Sequence, residues 1–305
     1  MPHPKHPIAT QAPSSRALAQ LTFPVALALA STLTACAGSH NRVADPLTVG
    51  ELAAEDSGVV AIGTVLDGDV GHMTLCSGAL IASNLVMTAR HCVSQSVTTT
   101  PSCDALGHSH NGAHLAADAN PATIGVYVGE HVRVDRDFPQ AHGIRTLHPA
   151  GKVLCDADVA FVVLDRPLVG VSVLPLRLVG GVSSGDRVRP VGFGGGLAMT
   201  IGDRVGRDGG RVLSIGPAAN ASTGAVLGPH EFEVDRATCR GDSGGPALDA
   251  LTGEIVGVVS RGGSCSAAGN HVYTRIDAYA SLARLALLEA SHIAAMQETV
   301  ATTAP

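Results

Sequence analysis

The stretch "RATCRGDSGGPAL", residues 236–248, surrounds Ser243 with Asp242 and with Gly241, Gly244 and Gly245. Residues without a Cβ let neighbouring backbone N–H groups turn toward one point and let a second molecule approach the hydroxyl closely, which is the geometry of an oxyanion site. A plain glycine-rich turn is the alternative, since Gly makes up 36 of 305 residues. A nucleophilic serine also needs a base, and the base needs an orienting acid. "NLVMTARHCV" closes an apolar run at His91, and "CDADVAFVVL" opens another just after Asp158. Both lie at strand boundaries, where a rigid sheet can aim a side chain. Singly these signals are weak, because a lone histidine is commonly a surface or core residue and an aspartate before a strand is commonly a turn residue. Together, the chain order His91, Asp158, Ser243 is one of the orders in which acyl-transfer triads occur.

The elements that must position these residues read as short strands. From Val59 onward, runs such as "VVAIGTVL", "GALIA", "NLVMTA", "ATIGVYVG", "DVAFVVL", "RVRPVGFG", "EFEV", "EIVGVVS" and "HVYTRI" are β-branched and punctuated by Gly, Pro and Asp turns. They are too short for core helices, and many such strands in series predict an all-β sandwich or barrel. The C-terminus differs. From Asp277, "DAYASLARLALLEASHIAAM" places Tyr279, Leu282, Leu285, Ala286, Leu288 and Ile293 near a 3.6-residue repeat, with Asp277 available as a cap. One helix over about 277–296 is expected, docking that stripe on the β structure.

The ends and the charge bound where such a chain works. Residues 1–20 are polar with Lys5 and Arg16, and "LTFPVALALASTLTAC" then runs without charge to Cys36. That run reads as an export signal over 1–35, shorter than the ~20 apolar residues of a comfortable membrane span. Leu33, Thr34, Ala35 and Cys36 resemble the lipobox of bacterial lipoproteins, which implies cleavage before Cys36 and acylation of its sulfur; an ordinary signal peptide with a spare cysteine is the alternative. Ala37 is not an aspartate, so the sorting pattern of Gram-negative lipoproteins points to the outer membrane. Residues 36–57 read as the lipidated N-terminus and a tether, and 58–305 as the folded domain. Seven cysteines less Cys36 leave six in an exported chain, enough for three disulfides whose connectivity the spacing leaves open. A formal charge of -6 without a basic block argues against a nucleic-acid partner. His108, His110 and His114 in "GHSHNGAH" lie in a polar insertion without an organising acid pattern and read as a solvated loop rather than a metal site.

The chain resembles the trypsin-like (chymotrypsin-fold) serine peptidases. "TARHC" is similar to their histidine motif, "DVAFVVL" to their aspartate strand and "GDSGGP" to their nucleophile motif, over about Val59 to Tyr279. The resemblance implies two six-stranded antiparallel β-barrels, about 58–177 and 178–276, with the C-terminal helix closing the fold. It further implies a polypeptide substrate cleaved through His91, Asp158 and Ser243, an oxyanion hole from the N–H groups of Gly241 and Ser243, and no cofactor or metal. Cys76 with Cys92 resembles the pair that staples the histidine loop, and Cys239 with Cys265 the pair beside the nucleophile, which leaves Cys103 and Cys155 for each other outside the family's standard pattern. A catalytically silent binding module on the same fold is the alternative reading; oligomeric state is left open.

Several positions depart from the family pattern. Arg90 stands where a small alanine is usual, and its burial requires a solvent path or an acid. Trp is absent, and in "SRGG" Ser260 and Gly262 match the substrate-pairing strand while Arg261 replaces a tryptophan wall, which would make substrate grip weaker or more charge-dependent. The resemblance places Ala237 at the base of the primary specificity pocket and His271 on its wall. Ala237 supplies no carboxylate for Arg or Lys, so small or medium neutral side chains are expected, with acidic ones the alternative if a protonated His271 reads charge. Activation in the family implies a freed N-terminus pairing with Asp242; no "IVGG" occurs, and "RVAD" from Arg42 and "TVGE" from Thr48 are the nearest candidates for a zymogen cleavage.

Overall fold

The computed structural model describes residues 51–52, 55–66, 73–98, 100–195, 202–222, 224–236, 238–262, 265 and 271–303. The expected signal, lipidated Cys36 and both activation candidates lie outside the described residues. So does Ala237.

In chain order the strands are β1 (Glu51–Leu52), β2 (Val59–Val65), β3 (Met73–Ala82), β4 (Leu85–Thr88), β5 (Ser94–Ser96), β6 (Leu115–Asp118), β7 (Ile124–Tyr127), β8 (Ala141–Leu147) and β9 (Ala160–Leu164). They continue as β10 (Arg187–Gly192), β11 (Val205–Gly206), β12 (Gly210–Ile215), β13 (Glu231–Val234), β14 (Pro246–Asp249), β15 (Ile255–Gly262) and β16 (His271–Arg275). Strands β2-β3-β4-β9-β8-β7 form a closed six-stranded antiparallel barrel. A second ring of six, β10-β12-β13-β16-β15-β14, closes through the pairing of β10 with β14, and β11 and β1 extend it at β10. The fold is therefore all-β with two six-stranded barrels and one C-terminal helix. The change from one barrel to the other, expected near 177–178, falls in the connection between β9 and β10.

Closing a sheet on itself removes the unpaired edges that would otherwise invite aggregation, and it demands apolar inward faces. Val60, Ile62, Leu80, Val86 and Val162, which the strand register places on one face, supply that filling in the first barrel, all at 0% exposure. In the second, Phe232 stacks on Tyr273 with ring centroids 5.2 Å apart, between Val188, Val212 and Val259. The chain thus fills its cores without a tryptophan.

A 3-10 turn at Asp277–Tyr279 leads into α1 (Ala280–Thr303), which runs beyond the expected end at 296. Its buried face differs from the expected stripe. Ala283, Ala286 and Ala290 are fully buried and flanked by Tyr279, Leu282, Leu287 and Ile293, whereas Leu285 and Leu288 are 48% and 69% exposed. Small residues let the helix come close to the first barrel, where the Asn84 amide donates to the Ala290 carbonyl at 2.9 Å and the Gln297 amide to that of Asp165 at 3.0 Å. Nor does Asp277 cap the helix with its side chain, because that carboxylate pairs with Arg275 at 2.6 Å.

The segment expected as a tether up to residue 57 is docked over its last part. Glu51 and Leu52 pair with Gly206 and Val205, and Glu55 and the buried Asp56 contact Arg189 at 3.0 and 2.5 Å.

Candidate active site

The register of the first barrel brings the first two site residues together. β4 pairs antiparallel with β9, Thr88 lying opposite Ala160, so the residues that follow Thr88 and those that precede Ala160 emerge at the same end of the barrel. His91 sits there in the 3-10 turn Arg90–Cys92, and Asp158 stands two residues before β9. The two are joined twice. The His91 backbone N–H donates to Asp158 Oδ1 at 3.0 Å, and His91 Nδ1 lies 2.8 Å from Asp158 Oδ2. The Ser260 hydroxyl, reaching across from β15, donates to Asp158 Oδ2 at 2.8 Å. The Ser260 side chain therefore serves the acid, from the strand expected to pair with substrate.

These contacts fix the electrostatics. Burial raises the cost of the Asp158 charge, but His91 and the hydroxyl and backbone donors more than offset it and hold the carboxyl below its ordinary range. Burial works against protonation of His91, while the charge and hydrogen bond of Asp158 overcome that and raise its pKa above 6.5. With Nδ1 engaged by the carboxylate, Nε2 is the nitrogen free to exchange a proton.

Ser243 lies in the turn between β13 and β14. Its carbonyl accepts from the backbone N–H of Ser77 on β3 at 2.8 Å, which ties the Ser243 turn to the barrel that carries His91. The next residue, Gly244, has φ +80, and a Cβ there would stand 2.1 Å from Thr88 Oγ1 and 2.8 Å from the Ala89 nitrogen. A side chain at 244 would wedge the serine turn away from the histidine turn. Gly241, at φ +100, occupies backbone space that other residues rarely adopt. Among the described residues neither the Gly241 N–H nor the Ser243 N–H has an acceptor, as an oxyanion hole requires. No hydrogen bond joins the Ser243 hydroxyl to His91 in this structure; in enzymes at rest this contact is commonly long and tightens on substrate binding.

A family model for trypsin matches residues 61–283. The chain belongs to the trypsin family. Mannan-binding lectin serine protease 1 of Homo sapiens is 28% identical over 207 residues, covering 62% of this chain and 28% of that protein. Cercarial protease of Schistosoma mansoni is 27% identical over 202 residues, covering 62% of this chain and 71% of that protein. The chain thus spans well under half the length of the first relative and most of the second.

Against the trypsin-family pattern, two departures acquire a physical account. Arg90 is 4% exposed, and its guanidinium is 3.3 Å from Asp118 and donates to the Pro149 carbonyl. It reaches an acid with its stem packed. Arg261 is bound in a two-point ion pair to Glu231, which is 0% exposed, and also donates to the Val226 carbonyl at 2.8 Å. Its charge is spent inside the protein, so the idea that Arg261 makes substrate grip charge-dependent is not supported by its contacts.

The six cysteines form Cys76–Cys92, Cys103–Cys155 and Cys239–Cys265. The sulfurs of the first pair lie within 4.8 Å of a His91 ring nitrogen, but sulfur in a disulfide is not a thiolate and offers no metal site there. The Cys103–Cys155 bridge joins the insertion to the residues just before Asp158. His114 works beside it and is fully buried, contrary to the solvated loop read from "GHSHNGAH". Its Nδ1 accepts from the Leu154 N–H at 3.0 Å, and its Nε2 lies 2.9 Å from both Ser109 Oγ and Asn111 Oδ1. His114 is thus a structural pin between insertion and acid loop, while His108 remains exposed beside Asp104.

His271 is fully buried at the start of β16, opposite Gly262, and its Nδ1 accepts the Thr238 N–H at 3.2 Å. A ring protonated on both nitrogens would lose that bond. Sequence reasoning passed over Ser77, Arg207 and Glu231, each of which holds a site residue or its neighbour from a distant strand. Only Ser77 carried a signal, by standing beside a motif cysteine.

Proposed function

We propose that this chain is a serine endopeptidase that cleaves peptide bonds through a covalent acyl-enzyme. Ser243 Oγ attacks the scissile carbonyl and His91 Nε2 takes its proton. The N–H groups of Gly241 and Ser243 hold the developing oxyanion, and His91 returns the proton to the leaving amine before water releases the acyl group. Asp158 holds the ring in the required tautomer and stabilises its cationic form. The observation that carries the reading is the doubly bonded Asp158–His91 pair, with its carboxylate fully buried, an arrangement that a binding module has no need to maintain.

The Thr238 N–H that His271 Nδ1 accepts favours a pocket wall without positive charge, and with Ala237 assigned to the pocket base by the family resemblance the preferred residue before the cut is small or medium and uncharged. Three disulfides fit an oxidising compartment, which supports export of the chain, and Cys36 is the proposed anchor to the bacterial outer membrane. A peptide-library digest tests the activity and the pocket together. Cleavage by the wild type after Ala- or Val-sized residues, and none by Ser243→Ala, is expected; dominant cleavage after Arg or Lys would overturn the pocket assignment.

A further inference from the structure

The second buried aspartate of the site, Asp242, has its cationic partner inside the chain. Its Oδ2 is 2.8 Å from an Arg207 terminal nitrogen, with the two side chains 2% and 4% exposed. The Gly194 N–H donates to Oδ1 at 2.8 Å and the Cys239 N–H to Oδ2 at 2.7 Å. The carboxylate's seat is shaped for it, since a Cβ at Gly192 or Gly194 would stand 2.4 or 2.5 Å from its atoms. Arg207 is equally fixed. It follows β11, which is laddered to β10 on one side and to β1 on the other, and its own N–H donates to the Pro190 carbonyl at 2.9 Å.

This seat sits directly behind the oxyanion donors. The Arg240 carbonyl accepts from the Gly195 N–H at 3.4 Å, and in a planar trans peptide the N–H of Gly241 then points the opposite way. The Gly241 carbonyl accepts from the Ser77 hydroxyl at 2.7 Å, and that hydroxyl accepts from the Phe193 N–H at 2.9 Å. Residues 193–195 therefore hold both the Asp242 carboxylate and the peptides on either side of Gly241. Arg207 Nη2 also donates to the Gly194 carbonyl at 3.4 Å, so the guanidinium braces that same segment.

We propose that Arg207 is a positioning residue that holds the oxyanion loop in its working shape in the uncleaved chain, so that the peptidase needs no freed N-terminus. The inference rests on the peptidase reading above. A buried carboxylate requires one compensating cation, and here the residue that follows β11 supplies it. The N-terminal segment contributes by pairing β1 beside the arginine's strand. Asp242 thus has no vacancy that a new α-amino group must fill.

The test is active-site labelling with a fluorophosphonate and peptide turnover on exported protein whose intact mass shows the residues before Glu51 still attached. The uncleaved wild type is expected to label and turn over. Arg207→Met should lose about 100-fold or more in kcat, the scale of losing an oxyanion donor, with KM changed by less than about threefold. Arg207→Lys should recover part of that loss, and near-UV circular dichroism and unfolding should show both variants folded. Should Arg207→Met not fold, the uncleaved wild type and Arg207→Lys still decide the matter. Wild type that stays silent until cut within residues 42–50 and then works, or Arg207→Met with undiminished kcat, would overturn the role of Arg207 and leave the peptidase reading standing. Protein that refuses the label in every processed form would instead sink the peptidase reading, and this inference with it.

Discussion

Asp158 on the first barrel and Asp242 on the second are buried alike, at 0% and 1% exposure, and each carboxylate is met by three groups. Asp158 meets the backbone and ring of His91 and the Ser260 hydroxyl, while Asp242 meets two backbone N–H groups and the Arg207 guanidinium. The difference lies in the partner. An imidazole gains and loses its proton in the working range of pH, so a carboxylate beside it takes part in proton transfer. A guanidinium remains a cation, so a carboxylate beside it can only hold shape. In the proposed mechanism one family fold thus uses the same side chain twice, as part of the machinery on one barrel and as scaffold on the other.

Substitutions on the two sides should separate these jobs. Asp158→Asn is expected to cost about 10⁴-fold in kcat, the loss known for a triad left in the wrong tautomer. It should also move the pH profile in a defined direction. In the wild type the raised pKa of His91 places the acid limb of kcat/KM above pH 6.5, because the base must be neutral in the free enzyme. Without the Asp158 charge, burial acts on His91 unopposed, and the limb should shift to lower pH. An unmoved limb would break the assignment of Asp158 as the charge that tunes His91. Stability carries the matching sign. The raised pKa of His91 contributes stability that is complete below pH 6.5 and is lost as pH climbs through the folded value. Asp158 contributes stability present above its ordinary 3.8 and lost only as pH falls through its lowered folded value.

Ser260→Ala should have a smaller effect on the Asp158 side. It removes one of the donors on a charged acceptor, and a fall in kcat of about tenfold is expected, with the acid limb displaced by less than in Asp158→Asn. Steady-state kinetics across pH 5–9, run for both variants beside Arg207→Met, would check the whole pattern. Variants on the Asp158 side should alter the limb, while Arg207→Met should lower the plateau and leave the limb in place. A shifted limb in Arg207→Met would mean that the two aspartates are coupled and that the division between machinery and scaffold is wrong.

The proposed catalytic residues could be read along the chain because their signals are local. "TARHC", "DVAFVVL" and "GDSGGP" each place a reactive residue at the edge of an element, and strand patterning then implies the barrel that gathers them. Arg207 gave no such signal, since its meaning arises only when β11 is laddered onto β10 and its guanidinium meets a loop thirty-five positions onward at Asp242. His114 was misread for a related reason. A polar insertion looks solvated until the Cys103–Cys155 bridge and the Leu154 N–H show what lies against it. On the helix, the period was legible but the contact face was not. Leu285 and Leu288 carry more apolar surface, yet Ala283, Ala286 and Ala290 make the contact because close approach to the barrel favours small side chains.

Whether Ser243 is a nucleophile activated by His91 can be decided by the mass and position of a fluorophosphonate adduct on the intact wild-type chain, followed as a rate against pH. One adduct per chain is expected, located by peptide mapping on the segment that contains Ser243, forming at a rate that rises with pH through a midpoint above 6.5. An unlabelled chain in every processed form, an adduct on another residue, or a labelling rate indifferent to pH across that range would contradict that role of Ser243.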